Sequence, residues 1–446
     1  MLTIKELNAA FPNNTLTLED TFELTGVTQD TRKIQPGQLY VALSGTNFDG
    51  HNFIDEAFAK GAAAALVEKS AKLKNKNLVF CDDVLASLSQ LAKTYRQRFT
   101  QPVIAITGSN GKTTTKEFLA HVLASFGEVI ATTGNLNNHI GVPLTLLRFT
   151  DQAKFFVVEM GMNHLGEIRA LTHLTQPDIG LITCVAPAHL EGVGGTLEGV
   201  ALAKAELFEE LTPQALAIVN NDDPLIARMP TQARKTSFGL QQAAAVSASD
   251  IKTVGSQTHF TLTYKNESFP ITLQLIGNHH IRNALAIFAI CAELKLPAPT
   301  VIHGLKSFTI GFNRGRLLEK HGTQIIDDTY NANPGSMQVA FEAFAAQFPK
   351  KRKIAVLGGM LELGEKTSSW HVKTGKAAKI AGFDALFAYG EGAQDYLVGF
   401  GSGESFSDHA QLAQAVRQSL ATQIGEAAIL VKGSRGMTME KFIEYF

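Results

Sequence analysis

Apolar residues along this chain fall into short continuous runs separated by segments of helical period. The runs 103–107, 155–159, 179–183 and 215–220 are almost wholly apolar. With amphipathic segments between them, they predict strands buried on both faces of a parallel sheet, joined by crossover helices. Residues 257–275 alternate apolar and polar, which predicts antiparallel strands, and 278–294 reads as a helix. A second alternating set supplies strand candidates at 323–327, 353–357, 385–389 and 428–432. Ahead of residue 101, the alternation at 38–43 and the run 63–67 predict a smaller mixed unit. The pattern therefore divides the 446 residues into three α/β domains: a small mixed one at 1–100, a doubly wound parallel sheet at 101–313, and a Rossmann-like domain at 314–446.

Composition removes several alternatives. Lys plus Arg number 40 against 41 Asp plus Glu, a net charge of -1, so there is no basic field for nucleic acid and anionic ligands must be met locally. Three cysteines, Cys81, Cys184 and Cys291, are far apart and form no C-x-x-C pair. They read as buried thiols of a reducing cytosol. The N-terminus has no basic stretch followed by an apolar core, and no run approaches 18 apolar residues. The expectation is a cytoplasmic protein that does not insert into membranes.

The candidate chemistry lies at the predicted strand ends. After the run 103–106 comes Thr107-Gly108-Ser109-Asn110-Gly111-Lys112-Thr113-Thr114-Thr115, a shortened G-x-x-G-K-T phosphate loop between a strand and a helix. Backbone N–H groups would cradle phosphates, Lys112 would add positive charge, and the Thr113 hydroxyl would reach Mg²⁺. The expectation is a central P-loop domain that handles a nucleoside triphosphate, the ATPase domain of the chain if that triphosphate is ATP. Glu159 closes another strand ahead of Gly161 and suits a hard divalent cation, with a helix-capping or solvated glutamate as the alternative. His189, near Glu191 after a third strand, is a candidate for a second cation, with a satisfied structural imidazole as the alternative. Lys204, in the helical stretch 198–208, reads by residue type alone as part of a solvated face. The loop carrying Asn135, Asn138 and His139 either caps turns or donates to a polar ligand. Asp327 and Asp328 precede Tyr330, Asn331 and Asn333, and Lys432 and Arg435 follow the last strand. Such groups serve ordered ligands or form interface ion pairs, and their shared place at strand ends favours one large cleft built from more than one domain.

Together these residues, with the segments 159–164, 189–192, 203–208, 327–334 and 432–435, resemble the Mur ligases, ATP-dependent amide-bond-forming enzymes of peptidoglycan precursor synthesis. The segments Asp30-Thr31-Arg32-Lys33 and Asn47-Phe48-Asp49-Gly50-His51 are similar to the family's UDP-sugar-binding domain. Tyr330-Asn331-Ala332-Asn333-Pro334 and Met360-Leu361-Glu362-Leu363-Gly364 are similar to the member that adds D-alanyl-D-alanine. The Asp-Asn-Pro-Arg motif of the third-residue-adding sibling is missing. A folylpolyglutamate synthase is the rival within the superfamily, and an ATP-hydrolysing switch is the rival from another class.

The resemblance implies ATP, two Mg²⁺ ions, and UDP-MurNAc-tripeptide and D-alanyl-D-alanine as substrates of a monomeric enzyme of cell-wall biogenesis, cell shape and cell division. It implies nucleotide contacts from Gly108, Ser109, Asn110, Gly111, Lys112, Thr113, Thr114, Asn283, Arg314 and Asp328. Catalytic roles fall to Lys112, His189, Lys204 and Lys432. Metal contacts fall to Thr113 and Glu159 for one ion, and to His189 with a carbamylated Lys204 for the other. Substrate contacts fall to Asp30, Thr31, Arg32, Asp49, Gly50, His51, Asn135, Asn138, Asn331, Asn333 and Arg435. Two positions depart from the family pattern: Asn110 stands where serine is common, and Gly359 where aspartate often precedes Met360.

Overall fold

The computed structural model describes residues 2–446 except 13, 47, 72, 74, 76, 312 and 421–424, so Asn47 of the N-terminal motif lies outside the described residues. Three larger sheets follow one another along the chain. Val27–Thr28, Leu39–Val41, Ala64–Glu68 and Leu78–Cys81 form a four-stranded parallel sheet. The last strand was not evident in the sequence pattern.

The central sheet has nine strands. In spatial order Val129–Ala131, Phe155–Glu159, Val103–Thr107, Ile179–Ile182, Leu216–Asn220, Arg234–Gly239 and Val246–Val254 are mutually parallel. Gln257–Tyr264 and Glu267–Leu273 then add an antiparallel extension. The sheet is therefore mixed at one edge, and the doubly wound description holds for its parallel part. Alternate side chains enter different layers, as the two-residue period of a strand requires. Val103, Ala105, Phe156 and Val158 face one apolar cluster, whereas Ile104, Ile106, Phe155 and Val157 face another, filled by Phe118, Ile287 and Ile290 from helices. Both faces are covered, which is why these strands read as continuous apolar runs.

The third sheet runs Arg316–Lys320, Thr323–Asp328, Ala427–Lys432, Arg352–Gly358, Ala385–Tyr389, Glu404–Phe406. Its first pair is antiparallel and the rest are parallel. In both larger sheets the chain reverses its direction of winding beside a central strand, at Val103–Thr107 and at Ala427–Lys432. Such switch points leave a crevice at the carboxyl ends of strands. No helix among the described residues is long and apolar enough to cross a membrane.

The junction between the first and second sheets is built by the helix Val84–Arg96. Tyr95 packs edge-on to Phe99, which meets Phe149 and Phe156, and the Tyr95 hydroxyl donates to the Phe149 carbonyl. Beside this seam the buried Arg96 guanidinium donates to the carbonyls of Thr175, Phe99 and Gln176. Removing it strands two acceptors on buried residues, Phe99 and Thr175. Arg96→Met is expected to lower the unfolding free energy by about 3 kcal/mol; denaturant titration of the full chain measures this, and a loss within about 0.5 kcal/mol would rule the role out.

Candidate active site at the facing strand ends

The strand Val103–Thr107 delivers the chain into the phosphate loop. The loop is gripped by its neighbour: the Thr183 hydroxyl donates to the Asn110 carbonyl at 2.6 Å, and the Ser109 hydroxyl exchanges hydrogen bonds with the backbone of Ala186. Gly111, at φ +78°, starts the helix Lys112–Leu123 without a side-chain cap. The first-turn N–H groups are thus left for an anion. Until one arrives, the Lys112 ammonium folds back onto the carbonyls of Gly108, at 2.6 Å, and Ser109. Burial pushes its pKa down. A desolvated cation satisfied only by neutral carbonyls is well prepared to exchange them for phosphate oxygens.

Glu159 ends the adjacent strand with only 1 % of its surface exposed. One carboxylate oxygen, Oε1, accepts from the Thr113 hydroxyl at 3.0 Å and from the Asn137 amide at 2.7 Å. The other, Oε2, is buried with no hydrogen-bond partner. Asn137 reaches it because residue 161 is glycine: a Cβ there would stand 2.8 Å from the Asn137 Oδ1. Asn138 shapes the same loop by accepting from the N–H groups of Ile140 and Gly141, the turn-capping alternative. Asn135 lines the cleft.

An orphaned anionic oxygen next to a threonine hydroxyl and a phosphate loop fits Mg²⁺, which takes few protein ligands and completes its shell with water and phosphate oxygens. No group of three or more His, Cys, Asp or Glu suited to a metal occurs among the described residues, and this chemistry does not need one.

The facing strand ends come from the third sheet. Lys432 reaches Asp328 at 2.6 Å and the Asn331 carbonyl at 2.9 Å. Burial raises the Asp328 pKa, with the Lys432 charge opposing it. The Arg314 guanidinium lies 3.6 Å from the Tyr330 ring centre. Asn333 caps the helix Pro334–Gln347, and its amide donates across to the Asn110 side chain at 2.7 Å. Phosphate loop and third sheet are thus joined directly, through the very position where the family pattern has serine.

Between them lies a cleft of about 980 Å³. Its walls include Ser109, Asn110, Gly111, Lys112, Thr113, Thr114, Glu159, His189, Asn283, Arg314, Asp328, Asn331, Asn333 and Lys432. A second cleft of about 160 Å³ opens beside His189, lined also by Asn333, Glu362, Ser434 and Arg435. His189, at φ +53°, and Glu362, at φ +63°, approach to 2.6 Å. The His189 ring beside it holds the Glu362 carboxyl below its usual range. Gly359, the second departure from the family pattern, carries the Met360–Gly364 loop so close to the chain at Glu391 that a Cβ would meet its carbonyl at 2.0 Å.

Lys204 overturns the solvated-face reading: it is 1 % exposed. Helical period alone could not show which face of the helix Leu197–Glu209 packs inward, because that helix is buried nearly all round. Burial and the nearby Lys112 charge push the Lys204 pKa down to about 7. It lines neither cleft. Cys184 departs from the buried-thiol reading, being partly exposed in the large cleft.

The N-terminal candidates stand apart from both clefts. Asp30 pairs with the exposed Arg32, and Thr31 receives Lys60 on its carbonyl. His51 meets Asp49 through Nδ1 and the Glu68 N–H through Nε2, so its ring connects the two segments. Both segments flank the buried Tyr40, whose hydroxyl donates to Gly50.

Sequence reasoning missed Asn137, Lys116, His279 and His280. The two histidines line the large cleft, with His279 pushed down to about 4 by burial.

Sheet, phosphate loop, buried carboxylate and facing lysine define an α/β enzyme class that handles a nucleoside triphosphate between two domains. Comparison with known proteins narrows this. The Mur ligase family catalytic domain matches residues 23–123, the Mur ligase middle domain 106–291, and the Mur ligase glutamate ligase domain 313–435. The chain belongs to the Mur ligase family. It is 39% identical over 425 residues to the UDP-N-acetylmuramoyl-tripeptide--D-alanyl-D-alanine ligase of Escherichia coli, covering 94% of this chain and 93% of that one. Identity to the Bacillus subtilis protein of the same name is 35%, covering 94% and 92%. Among solved structures, MurF of Acinetobacter baumannii matches with a TM-score of 0.91 at 30% identity, over 99% of this chain and 98% of that one. MurF of Thermotoga maritima in complex with ADP matches at 0.84 and 28% identity, over 96% and 98%.

Asn110→Ala removes the cross-domain hydrogen bond while leaving the Asn333 cap in place. The juxtaposed arrangement of the two domains should lose about 1 kcal/mol, a roughly fivefold drop in its ratio to the separated arrangement. Energy transfer between dyes on the central and third domains reads this out, and an unchanged distribution would show that the contact carries no weight.

Proposed function

We infer that this chain is an ATP-dependent ligase that joins D-alanyl-D-alanine to UDP-N-acetylmuramoyl-tripeptide to give the pentapeptide precursor of peptidoglycan. The observation that carries this is the meeting, in one cleft, of the phosphate loop and Glu159 from the central sheet with Asp328, Asn331 and Lys432 from the third. Relatives that match 94% of the chain carry the name of this activity.

In the first step an oxygen of the tripeptide's terminal carboxylate attacks the γ-phosphorus, the bond to the β-phosphate oxygen breaks, and ADP leaves. In the second, the dipeptide amine attacks the acyl carbon, inorganic phosphate leaves, and the amine gives up a proton. Lys112 exchanges its loop carbonyls for phosphate oxygens, and Lys432 reaches the transferring group from the opposite wall. Mg²⁺ held by Thr113 and Glu159 would supply further charge on the phosphates. Lys204 suits carbamylation: with its pKa near 7, its neutral amine can add to carbon dioxide and lose a proton. The resulting carbamate, with His189, would hold the second ion.

Residues 1–100 form the UDP-sugar unit in this reading, through Asp30, Thr31, Arg32, Asp49, Gly50 and His51. Residues 101–313 bind ATP, and 314–446 close the site. Asn135 and Asn138 border the path of the tripeptide. The enzyme works as a cytoplasmic monomer, upstream of cell-wall assembly and cell division.

The smaller cleft suits the acceptor, with the Glu362 carboxylate on one wall and the Arg435 guanidinium on another. A zwitterionic dipeptide needs that pairing of charges.

Phosphate release should require both UDP-MurNAc-tripeptide and D-alanyl-D-alanine, with the pentapeptide seen by mass. Lys112→Ala should cut kcat about a hundredfold or more with circular dichroism unchanged. Release without the dipeptide, or full activity in the variant, would refute the assignment. Separately, Glu362→Gln should raise KM for D-alanyl-D-alanine about tenfold, leaving the KM for ATP within about twofold; a shift in the ATP value alone would place Glu362 elsewhere.

A further inference from the structure

The phosphate-loop helix carries a second buried lysine that the mechanism above leaves unused. Lys112 and Lys116 stand four residues apart and share one helix face. They point to different partners. Lys112 serves the loop carbonyls, whereas the Lys116 ammonium lies 3.4 Å from the Gly134 carbonyl, 3.8 Å from Glu159 Oε2 and 3.9 Å from Glu117 Oε1. Its side chain is 3 % exposed and that of Glu159 is 1 % exposed.

The asymmetry at Glu159 gives this its meaning. Oε1 is held by two donors, Thr113 and Asn137, so the carboxylate keeps its orientation without Lys116. Oε2 has no hydrogen bond, and 3.8 Å is beyond hydrogen-bond length. Two opposite charges at that separation still attract strongly in a buried setting. Lys116 therefore offsets the charge of Oε2 while leaving its lone pairs open.

We propose that Lys116 is a positioning residue that serves as a resident cation for Glu159, keeping a lone divalent ion out of the site until nucleotide phosphates bring one in. This rests on the reading of Glu159 as a metal-holding group. A divalent ion taking Oε2 enters the field of the ammonium, and that repulsion cancels part of the carboxylate's attraction. Triphosphate restores the balance by adding negative charge on the other side of the ion. The neighbouring Glu117 gives the ammonium a partner when the ion takes over Glu159. Metal and nucleotide are then bound together or not at all, so the empty site is not filled by free cations that would hinder the nucleotide.

The direction of the effect makes it testable without turnover. In the nucleotide-free full chain, Mn²⁺ binding is followed by the loss of the free-ion electron paramagnetic resonance signal. Lys116→Met, which keeps much of the buried stem, and Lys116→Gln should each bind Mn²⁺ about tenfold more tightly than the unaltered chain. Lys116→Arg, which keeps the charge, should stay within about threefold. Mg²⁺ should raise the melting temperature of the Met and Gln variants more than that of the unaltered chain. Unchanged or weaker Mn²⁺ binding in whichever of the Met and Gln variants folds overturns the proposal. If Glu159→Gln still abolishes Mn²⁺-dependent ADP binding, the metal reading of Glu159 survives that outcome. If tightened Mn²⁺ binding persists in Lys116→Met combined with Glu159→Gln, the ion does not use Glu159 and both readings fail.

Discussion

Burying a carboxylate at the end of a strand costs several kcal/mol unless donors and opposite charge surround it, and Glu159 shows how much local structure that constraint organises. The Thr113 hydroxyl that meets it fixes the register between the phosphate-loop helix and the neighbouring strand. The Asn137 amide fixes the path of the loop after Val129–Ala131, and that path in turn requires glycine at 161. Lys116 supplies the charge from one turn further along the helix. Two separate chain segments, the phosphate-loop helix and the loop after Val129–Ala131, are therefore held to a single pair of oxygens, and a site for phosphate and cation is the by-product of keeping that pair satisfied.

The third sheet repeats the logic with the signs exchanged. Lys432 ends its central strand as Glu159 ends one in the other sheet, and Asp328 and the Asn331 carbonyl surround the ammonium. Each domain thus brings a pair of opposite charges to the cleft, Glu159 with Lys116 on one side and Lys432 with Asp328 on the other. Neither domain has a complete phosphoryl-transfer site alone, because charge must be offset on both sides of the transferring group. The contact of Asn110 with Asn333 ties the two halves at the phosphate loop itself. Nucleotide binding and domain juxtaposition are consequently not independent events in this molecule.

Much of this was legible in the residues and some was not, for identifiable reasons. The strands at 103–107 and 385–389 coincide with the observed ones because continuous apolar runs report burial on two faces. Val246–Val254 escaped notice because its outer half is exposed, with burial confined to one end. Lys204 was misread because residue type dominates when a helix carries little amphipathic contrast, and only the packed structure shows that the lysine points inward. Asn137 was hidden among similar asparagines: Asn135 and Asn138 had equal claim, and the choice among them depends on a turn that Asn138 itself caps. Lys116 carried no signal apart from standing one turn beyond Lys112. Glu362 lay in a motif quoted for its family likeness, yet its approach to His189 could not be read from spacing across more than one domain.

Backbone strain at that last contact fits the division of labour. Non-glycine residues in the left-handed region each cost about 1 kcal/mol or more, and they persist where surroundings over-determine them. His189 and Glu362 are both in that region, they belong to different sheets, and they face one another across the smaller cleft. Neither position closes a tight turn that glycine could serve without a side chain, since each side chain is the part that meets the other domain. The strain therefore places an imidazole and a carboxylate in direct contact, 2.6 Å apart. With Arg435 on another wall of the same small cleft, the strain that holds this contact also fixes where an anionic and a cationic group face a ligand entering there.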